Sequence, residues 1–156
     1  MTGSELREVR LVAFPLRLHR VATEHHAELM REFQLLAFDD DPRTEVPARL
    51  VELIAELNAS YAGVAETADA EREAAIARGD ESVDLTYRVP PGAAEACERL
   101  ERMLAEADEF CRSEQLLTLA TPAEAAAFRR WYLREFVAQL SGAEPTPWPA
   151  AESAAG

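Results

Sequence analysis

One short stretch near the middle of the chain restricts the possible folds more than any other feature. Between residues 83 and 89 apolar and polar side chains alternate strictly, and Pro90 and Pro91 follow at once. Alternation with a period of two predicts a half-buried β-strand, which a proline pair would end. A second strand is predicted from Val9 to Phe14, where branched residues precede Pro15. The chain therefore needs a sheet, and an all-helical bundle is the alternative architecture.

Most of the remaining sequence places apolar residues at helical spacing. Four main helices are predicted, at about residues 16–38, 44–64, 92–112 and 122–140. The last follows Thr121-Pro122-Ala123-Glu124, which has the pattern of a capping box with proline at the first helical position. Residues 65–79 favour helix but lack an apolar face. They are predicted to be either a solvated extension of the second helix or a separate, poorly packed helix that ends at Gly79.

These elements predict one domain and a tail. A short third strand is predicted at residues 115–119, and with the helix before it this strand would form a βαβ crossover. The expected fold is α+β, or a small α/β fold, with four helices on a sheet of two or three strands in the order βααβαβα. The domain would span residues 1–142. Residues 143–156 are mainly Ala, Pro, Ser and Glu with one Trp148, a composition that predicts a flexible tail.

The charge of the chain makes several partners improbable on physical grounds. The formal net charge is -13, and a strongly acidic protein is repelled by nucleic acids and by anionic membrane surfaces. No apolar run reaches the roughly eighteen residues of a membrane span, and the first ten residues mix acidic and basic side chains. We therefore expect a cytoplasmic protein that binds neither nucleic acid nor membrane.

Two absences from the sequence exclude several enzyme classes. Lysine does not occur, whereas P-loop enzymes, protein kinases and Schiff-base enzymes all use one. The six glycines are far apart, so neither a dinucleotide fingerprint nor a phosphate-binding loop can form. No catalytic residues and no cofactor are predicted.

The histidines and cysteines are the residues that could hold a metal. His19, His25 and His26 share one predicted helix, and no other helix has a histidine. His19 and His26 would be about 10 Å apart along the axis, too far for one ion. No metal site is therefore expected, and His25, at the centre of the apolar stripe, is predicted to be buried and hydrogen-bonded. Cys97 and Cys111 are interpreted as small buried apolar residues.

The fourth predicted helix holds the candidate contact residues. Arg129 lies at the centre of its apolar half, so it is predicted either in a buried ion pair or at the rim of a pocket or interface. Arg130, Trp131 and Arg134 lie on the opposite side. An exposed tryptophan flanked by arginines is typical of an interface, and the alternative is a tryptophan covered by the tail or the sheet.

Three stretches of the sequence carry a resemblance. VDLTYRVPPGAAEA, EADEFCRSEQLLTLATPAE and AFRRWYLREFVAQ resemble sequences of short, high-GC, actinobacterial-type proteins. These occur beside partner-switching regulators, namely anti-sigma kinases, STAS-domain antagonists and PP2C-type phosphatases. The resemblance implies a regulatory neighbourhood. It implies no site residues and no activity.

Two functions are consistent with these observations. The first is a non-catalytic regulatory or protein-binding module, whose partner is another protein or a second copy of the chain and whose contacts are Arg130, Trp131 and Arg134. The second is a small-molecule sensor or enzyme with a pocket around His25, Tyr87 and Arg129. An exposed aromatic patch would favour the first, and a deep pocket with convergent charged groups would favour the second.

Overall fold

The computed structural model describes residues 5–37, 45–114, 116 and 120–148. This part of the chain contains two strands and five helices, namely β1 (Arg7–Pro15), α1 (Leu16–Ala37), α2 (Glu45–Ser60), α3 (Glu66–Arg78), β2 (Ser82–Val89), α4 (Ala93–Ser113) and α5 (Ala123–Leu140). The α+β class is confirmed, and the all-helical alternative is wrong. Within these ranges no helix has the length and apolar character that crossing a bilayer requires.

The two strands pair antiparallel and bury one face. Leu11 lies opposite Leu85, and Phe14 lies opposite Val83. One extra residue separates these two pairs on β1, so the strand bulges. Ala13 in the bulge has a φ of 58°, and its N–H donates to Asp84 Oδ1 at 2.9 Å. The carboxylate therefore takes the hydrogen bond that the sheet ladder loses there.

The order of elements differs from the prediction. The described residues follow the order βαααβαα, because residues 66–78 form a separate helix, which is one of the two alternatives predicted for residues 65–79. α2 ends at Ser60 and a turn precedes α3, although the apolar spacing continues to Val64. The predicted third strand at 115–119, and the crossover that depends on it, lie outside the described residues except for Leu116, which is not in a strand.

The helix α3 is a separate element, and its packing was predicted wrongly. Gly79 ends it with a left-handed φ of 81°, which glycine adopts without strain. Ala68 and Ala75 are fully buried, and the helix packs against β2. Glu71 also accepts the backbone N–H of Thr86. Alanines give little apolar signal in a sequence, but their small side chains allow a helix to approach a sheet closely.

The start of α5 also differs from the prediction. Pro122 has a ψ of 147° and stands before the helix, and no side chain caps the first turn. The Thr121 hydroxyl donates to Asp108 Oδ1 at 2.7 Å. The predicted capping box is therefore wrong, because the hydroxyl is engaged by a carboxylate of α4 rather than by its own helix.

The segment after α5 is tied to the domain as far as Trp148. The backbone N–H of Trp148 donates to the Val12 carbonyl at 3.0 Å, and the backbone N–H of Thr146 donates to the buried carboxylate of Glu135 at 2.9 Å. Thr146 and Trp148 are therefore hydrogen-bonded to α5 and β1, although a flexible tail was predicted from residue 143. Residues 149–156 lie outside the described residues.

The interior has two apolar clusters. The aromatic cluster joins the sheet to α5, and its large rings are those of Phe14, Tyr61, Tyr87, Phe128, Trp131, Tyr132, Phe136 and Trp148. The helical cluster joins α1, α2, α4 and α5, and its buried members are Leu29, Phe33, Leu50, Leu104, Ala107, Cys111 and Leu133. Tyr132 and Cys97 contact both clusters. The two clusters meet along a seam that contains the candidate site.

Candidate functional site

A cavity of about 390 Å³ lies at the seam between the two clusters. Its wall is mostly apolar and includes Phe128 from the aromatic cluster and Leu29, Leu104 and Leu133 from the helical cluster. Polar side chains from four elements and one loop converge on it, namely His19, Thr23, His25, His26, Asp69, Arg72, Tyr87, Thr121 and Arg129. An apolar cavity with a few convergent polar groups is the usual form of a small-molecule site.

The structure brings together the three residues that the sequence analysis proposed for a small-molecule pocket. His25, Tyr87 and Arg129 come from α1, β2 and α5, and all three line this cavity. His25 is half-buried there rather than fully buried as predicted. Sequence reasoning missed Arg72, because α3 has no apolar stripe from which its inward face could be located.

The cavity places His19 between aromatic rings and a cation. Its ring lies 5.2 Å from that of Phe14 and 6.3 Å from that of Phe128, and its Nε2 lies 3.3 Å from the Thr23 hydroxyl. Burial, and then repulsion from Arg72, lowers the pKa of His19 to about 4, against the opposing attraction of Asp69. The imidazole is therefore neutral at pH 7.

His26 is a second neutral imidazole on the same helix. Burial lowers its pKa, and repulsion from His25 and Arg129 lowers it further. A neutral imidazole offers one N–H donor and one acceptor, and it can therefore bind a ligand without bringing a charge into the cavity. Burial is the main cause of both shifts, and repulsion from an arginine contributes to each, from Arg72 at His19 and from Arg129 at His26.

Arg129 satisfies both of the alternatives predicted for it, since it forms a buried ion pair and lines a cavity. Its Nη1 lies 3.4 Å from Asp108 Oδ2 and 3.3 Å from the Thr121 hydroxyl. The Asp108 side chain is only 7% exposed, so the pair is largely removed from water. The Arg129 Nε–H is buried and has no acceptor among the described residues. A buried donor without an acceptor is uncommon and costs free energy.

Arg72 is the second cation of the cavity wall. Its side chain is 17% exposed and bonds to Asp69 Oδ1 at 2.7 Å, while the Asp69 side chain is 49% exposed. Asp69 is also the one carboxylate among the described residues that lines the cavity. The acidic charge is thus at the solvent side of the pair, and the guanidinium is the more buried partner.

A second, apolar chamber of about 210 Å³ adjoins the first. Tyr87 and Tyr132 line both chambers, and their hydroxyl oxygens are 3.4 Å apart. Burial raises the pKa of each phenol, so both remain protonated. Cys97 lines the second chamber, where burial and the nearby acids Glu101 and Glu98 raise its pKa to about 11. The thiol is therefore an apolar wall group rather than a nucleophile.

Cys111 is fully buried in the helical cluster. Burial, with a contribution from Asp108, raises the pKa of its thiol to about 11. The interpretation of both cysteines as apolar packing residues agrees with these positions, although Cys97 is only half-buried.

The predicted contact face on α5 lacks its exposed aromatic residue. The Trp131 indole N–H donates to the Thr146 carbonyl at 2.9 Å, and the Trp148 ring lies 5.5 Å away. Trp131 is therefore half-buried under residues 146–148, which is the alternative that the sequence left open. Arg130 is exposed, and Arg134 is exposed beside Glu101 at 3.5 Å. The helical wheel placed Trp131 opposite the apolar half of α5, but its ring lies 6.4 Å from that of Phe14 on β1, and residues 146–148 return over it.

No group of three or more histidine, cysteine or acidic side chains in the described residues is arranged to hold a metal ion. The expectation of no metal and no cofactor stays a prediction. A comparison of the chain with family models, with curated proteins and with solved structures gives no match.

Proposed function

We propose that the chain is a small-molecule-binding regulatory protein whose ligand occupies the cavity at the seam. The observation that carries this proposal is the convergence of two partly buried guanidinium groups and three histidines on one largely apolar cavity. Its volume of about 390 Å³ falls in the range of roughly 300–1,000 Å³ that ligand sites occupy.

Binding is favoured over catalysis by the state of the polar groups. A general acid or base works best when its pKa is near the operating pH, whereas the pKa of His19 is about 4. The thiols of Cys97 and Cys111 have a pKa of about 11 and are protonated at neutral pH. These groups can donate hydrogen bonds or provide apolar contacts, but they are poorly matched to proton transfer or nucleophilic attack.

A regulatory role in the cytoplasm is part of the proposal and is supported by the sequence resemblance to proteins beside partner-switching regulators. Ligand binding at the seam would report a metabolite to a protein partner. The separate hypothesis of a partner surface centred on Trp131 loses support, because residues 146–148 cover that side chain.

Ligand-induced stabilisation tests this function. Octanoate, octan-1-ol and octylamine share one apolar chain and differ in the charge of the head group. A ligand present at about one hundred times its Kd stabilises the folded state by about 2.7 kcal/mol, which corresponds to a rise in Tm of about 5–10 °C for a chain of this size. We expect at least one of the three compounds to produce such a rise in differential scanning fluorimetry.

A cavity-filling variant shows whether the ligand that raises the Tm binds in the seam cavity. Ala22 lines the cavity, whereas Ala27 on the same helix is exposed and does not. Ala22→Leu should abolish the ligand-induced rise, and Ala27→Leu should leave it unchanged. No rise with any compound in the wild type, or an equal rise in both variants, would exclude the seam cavity as the binding site.

A further inference from the structure

The chemical class of the ligand can be inferred from the two chambers, given the proposed function. One chamber has guanidinium and imidazole groups in its wall, and the adjoining chamber is lined by apolar side chains such as Leu57, Val64 and Phe136. The Tyr87–Tyr132 pair belongs to both walls. Such a division matches a molecule that has a polar head and an apolar body.

The sign of the head-group charge follows from Arg129. Its carboxylate partner, Asp108, does not line the cavity, whereas the guanidinium does. The Nε–H is buried without an acceptor in the described residues. Arg129 and Arg72 both line the cavity, whereas Asp69 is the one carboxylate of the described residues there. Because guanidinium groups outnumber carboxylates in this wall, an anionic head group is favoured over a cationic one.

The free donors of the cavity wall suit a carboxylate. Nη1 and Nη2 of Arg129 already face Asp108, and Nη1 also faces the Thr121 hydroxyl. A guanidinium has five N–H groups, so Nη2 of Arg129 keeps a second hydrogen. This donor, together with those of Arg72 and the neutral imidazoles, suits the two oxygens of a carboxylate.

We propose that the two chambers form one site for an amphiphilic monocarboxylate. Its carboxylate accepts hydrogen bonds from the Arg129 guanidinium, and its apolar body extends along Tyr87 and Tyr132 into the second chamber. Short unbranched fatty acids and aromatic or branched carboxylic acids of similar size belong to this class.

A single variant and a double variant test the role of Arg129. Asp108→Asn keeps Arg129 and removes the Asp108 carboxylate, which competes with the carboxylate of the ligand for the guanidinium. The double variant Asp108→Asn/Arg129→Gln removes both charges and retains groups that can hydrogen-bond. By isothermal titration calorimetry we expect octanoate to bind the wild type at least tenfold more tightly than octan-1-ol, with no binding of octylamine.

The two variants should move octanoate affinity in opposite directions. Asp108→Asn should bind octanoate as tightly as the wild type or more tightly, and the double variant should bind it at least tenfold more weakly. Octan-1-ol affinity should be the same in all three proteins, which a general loss of structure would not allow. Circular dichroism checks that each variant is folded. Equal affinities for octanoate and octan-1-ol, or unchanged octanoate binding in the double variant, would overturn the proposal.

The second chamber is tested on its own. Ala96 lines it, whereas Ala105 on the same helix is exposed and lines neither chamber. Ala96→Leu should weaken octanoate binding at least tenfold and leave butanoate binding unchanged, and Ala105→Leu should affect neither. Equal octanoate affinities in Ala96→Leu and Ala105→Leu would overturn the two-chamber site. If octan-1-ol binds while octanoate does not, the carboxylate proposal fails and the proposed function stands; if none of the compounds binds the wild type, both fail.

Discussion

The aromatic cluster and the seam cavity are neighbours in the same interior but are built differently. In the aromatic cluster, neighbouring ring centroids from the sheet, α5 and the returning segment (residues 146–148) lie 5.1 to 6.4 Å apart. At the seam, small side chains such as Ala22, Ala65 and Ala125 stand among histidines and arginines. The chain is therefore able to pack tightly, and the open seam is a local property of the residues placed there.

Two leucine truncations test this contrast, one at the cavity wall and one away from both chambers, and they should have the largest effect on stability. Leu50 is fully buried within the helical cluster and lines neither chamber, whereas Leu29 is 2% exposed and lines the cavity. Truncation of a buried leucine to alanine costs about 2–5 kcal/mol, depending on how many contacts are lost. Leu50→Ala should fall near the upper end, and Leu29→Ala should cost at least about 1 kcal/mol less, because one side of Leu29 already faces open space.

Urea denaturation of the two variants measures this difference in the free energy of unfolding. Equal losses would mean that Leu29 is as fully packed as Leu50 in solution. The seam would then not be an open cavity, and the contrast with the aromatic cluster would disappear.

The returning segment provides a test of the aromatic cluster, with a smaller effect. The Trp148 ring packs against those of Trp131 and Phe128, and the Trp148 backbone N–H, which the alanine variant retains, donates to the Val12 carbonyl of β1. Since this side chain is half-buried, Trp148→Ala should cost about 2 kcal/mol, below the 3–5 kcal/mol of a fully buried ring. The Tm should fall by about 4–8 °C.

Glu144→Ala is the matched control for this segment, because Glu144 is exposed. Its change in stability should stay within about 0.5 kcal/mol. If Trp148→Ala and Glu144→Ala have the same Tm, residues 146–148 contribute nothing to the stability of the aromatic cluster. That result would agree with the predicted flexible tail.

The pH dependence of stability tests whether the seam residue His19 is buried, and we expect it to give the smallest change in the free energy of unfolding. The pKa of His19 is about 4 in the folded protein and 6.5 as its ordinary value. Between these two pH values the unfolded chain binds more protons than the folded one, so the free energy of unfolding falls as the pH is lowered through this window. Repulsion from Arg72 adds to this fall, and Asp69 opposes it.

His19→Gln removes the titrating group and should give a shallower decrease between pH 6.5 and pH 4 than the wild type does. Urea denaturation at several pH values measures both slopes, and the carboxylates common to both proteins cancel in the comparison. Identical slopes would indicate that His19 is solvated and not part of a buried seam.

The fold could be predicted from the sequence wherever periodicity reports burial. The alternation at residues 83–89 located β2, and the apolar spacing of α1 and α4 located those helices to within about one residue at each described end. The inward position of Arg129 also followed from spacing, because a helical wheel shows which side a residue occupies. Such periodicity arises because one face of a helix or strand packs against the core, and it can be recognised from neighbouring residues alone.

Features that depend on distant partners could not be predicted. Thr121 had the pattern of a helix cap, but its hydroxyl is taken by Asp108 of another helix. Trp131 was placed on the outer side of α5, yet residues after α5 return to cover it. The inward face of α3 was not recognised, so Arg72 was missed as a wall residue. Each of these errors concerns a contact that the sequence near the residue does not encode.

The most direct test of a carboxylate site at the seam is NMR observation of the arginine Nε–H and leucine methyl signals during titration with octanoate. The account predicts that the Arg129 Nε–H and the methyls of Leu29, Leu104 and Leu133 shift together and saturate at one Kd. The methyls of Leu50 and Leu85, which are buried but line neither chamber, should remain in place. Shifts confined to the Nε–H groups of the exposed Arg130 and Arg134, with the seam signals unchanged, would contradict it.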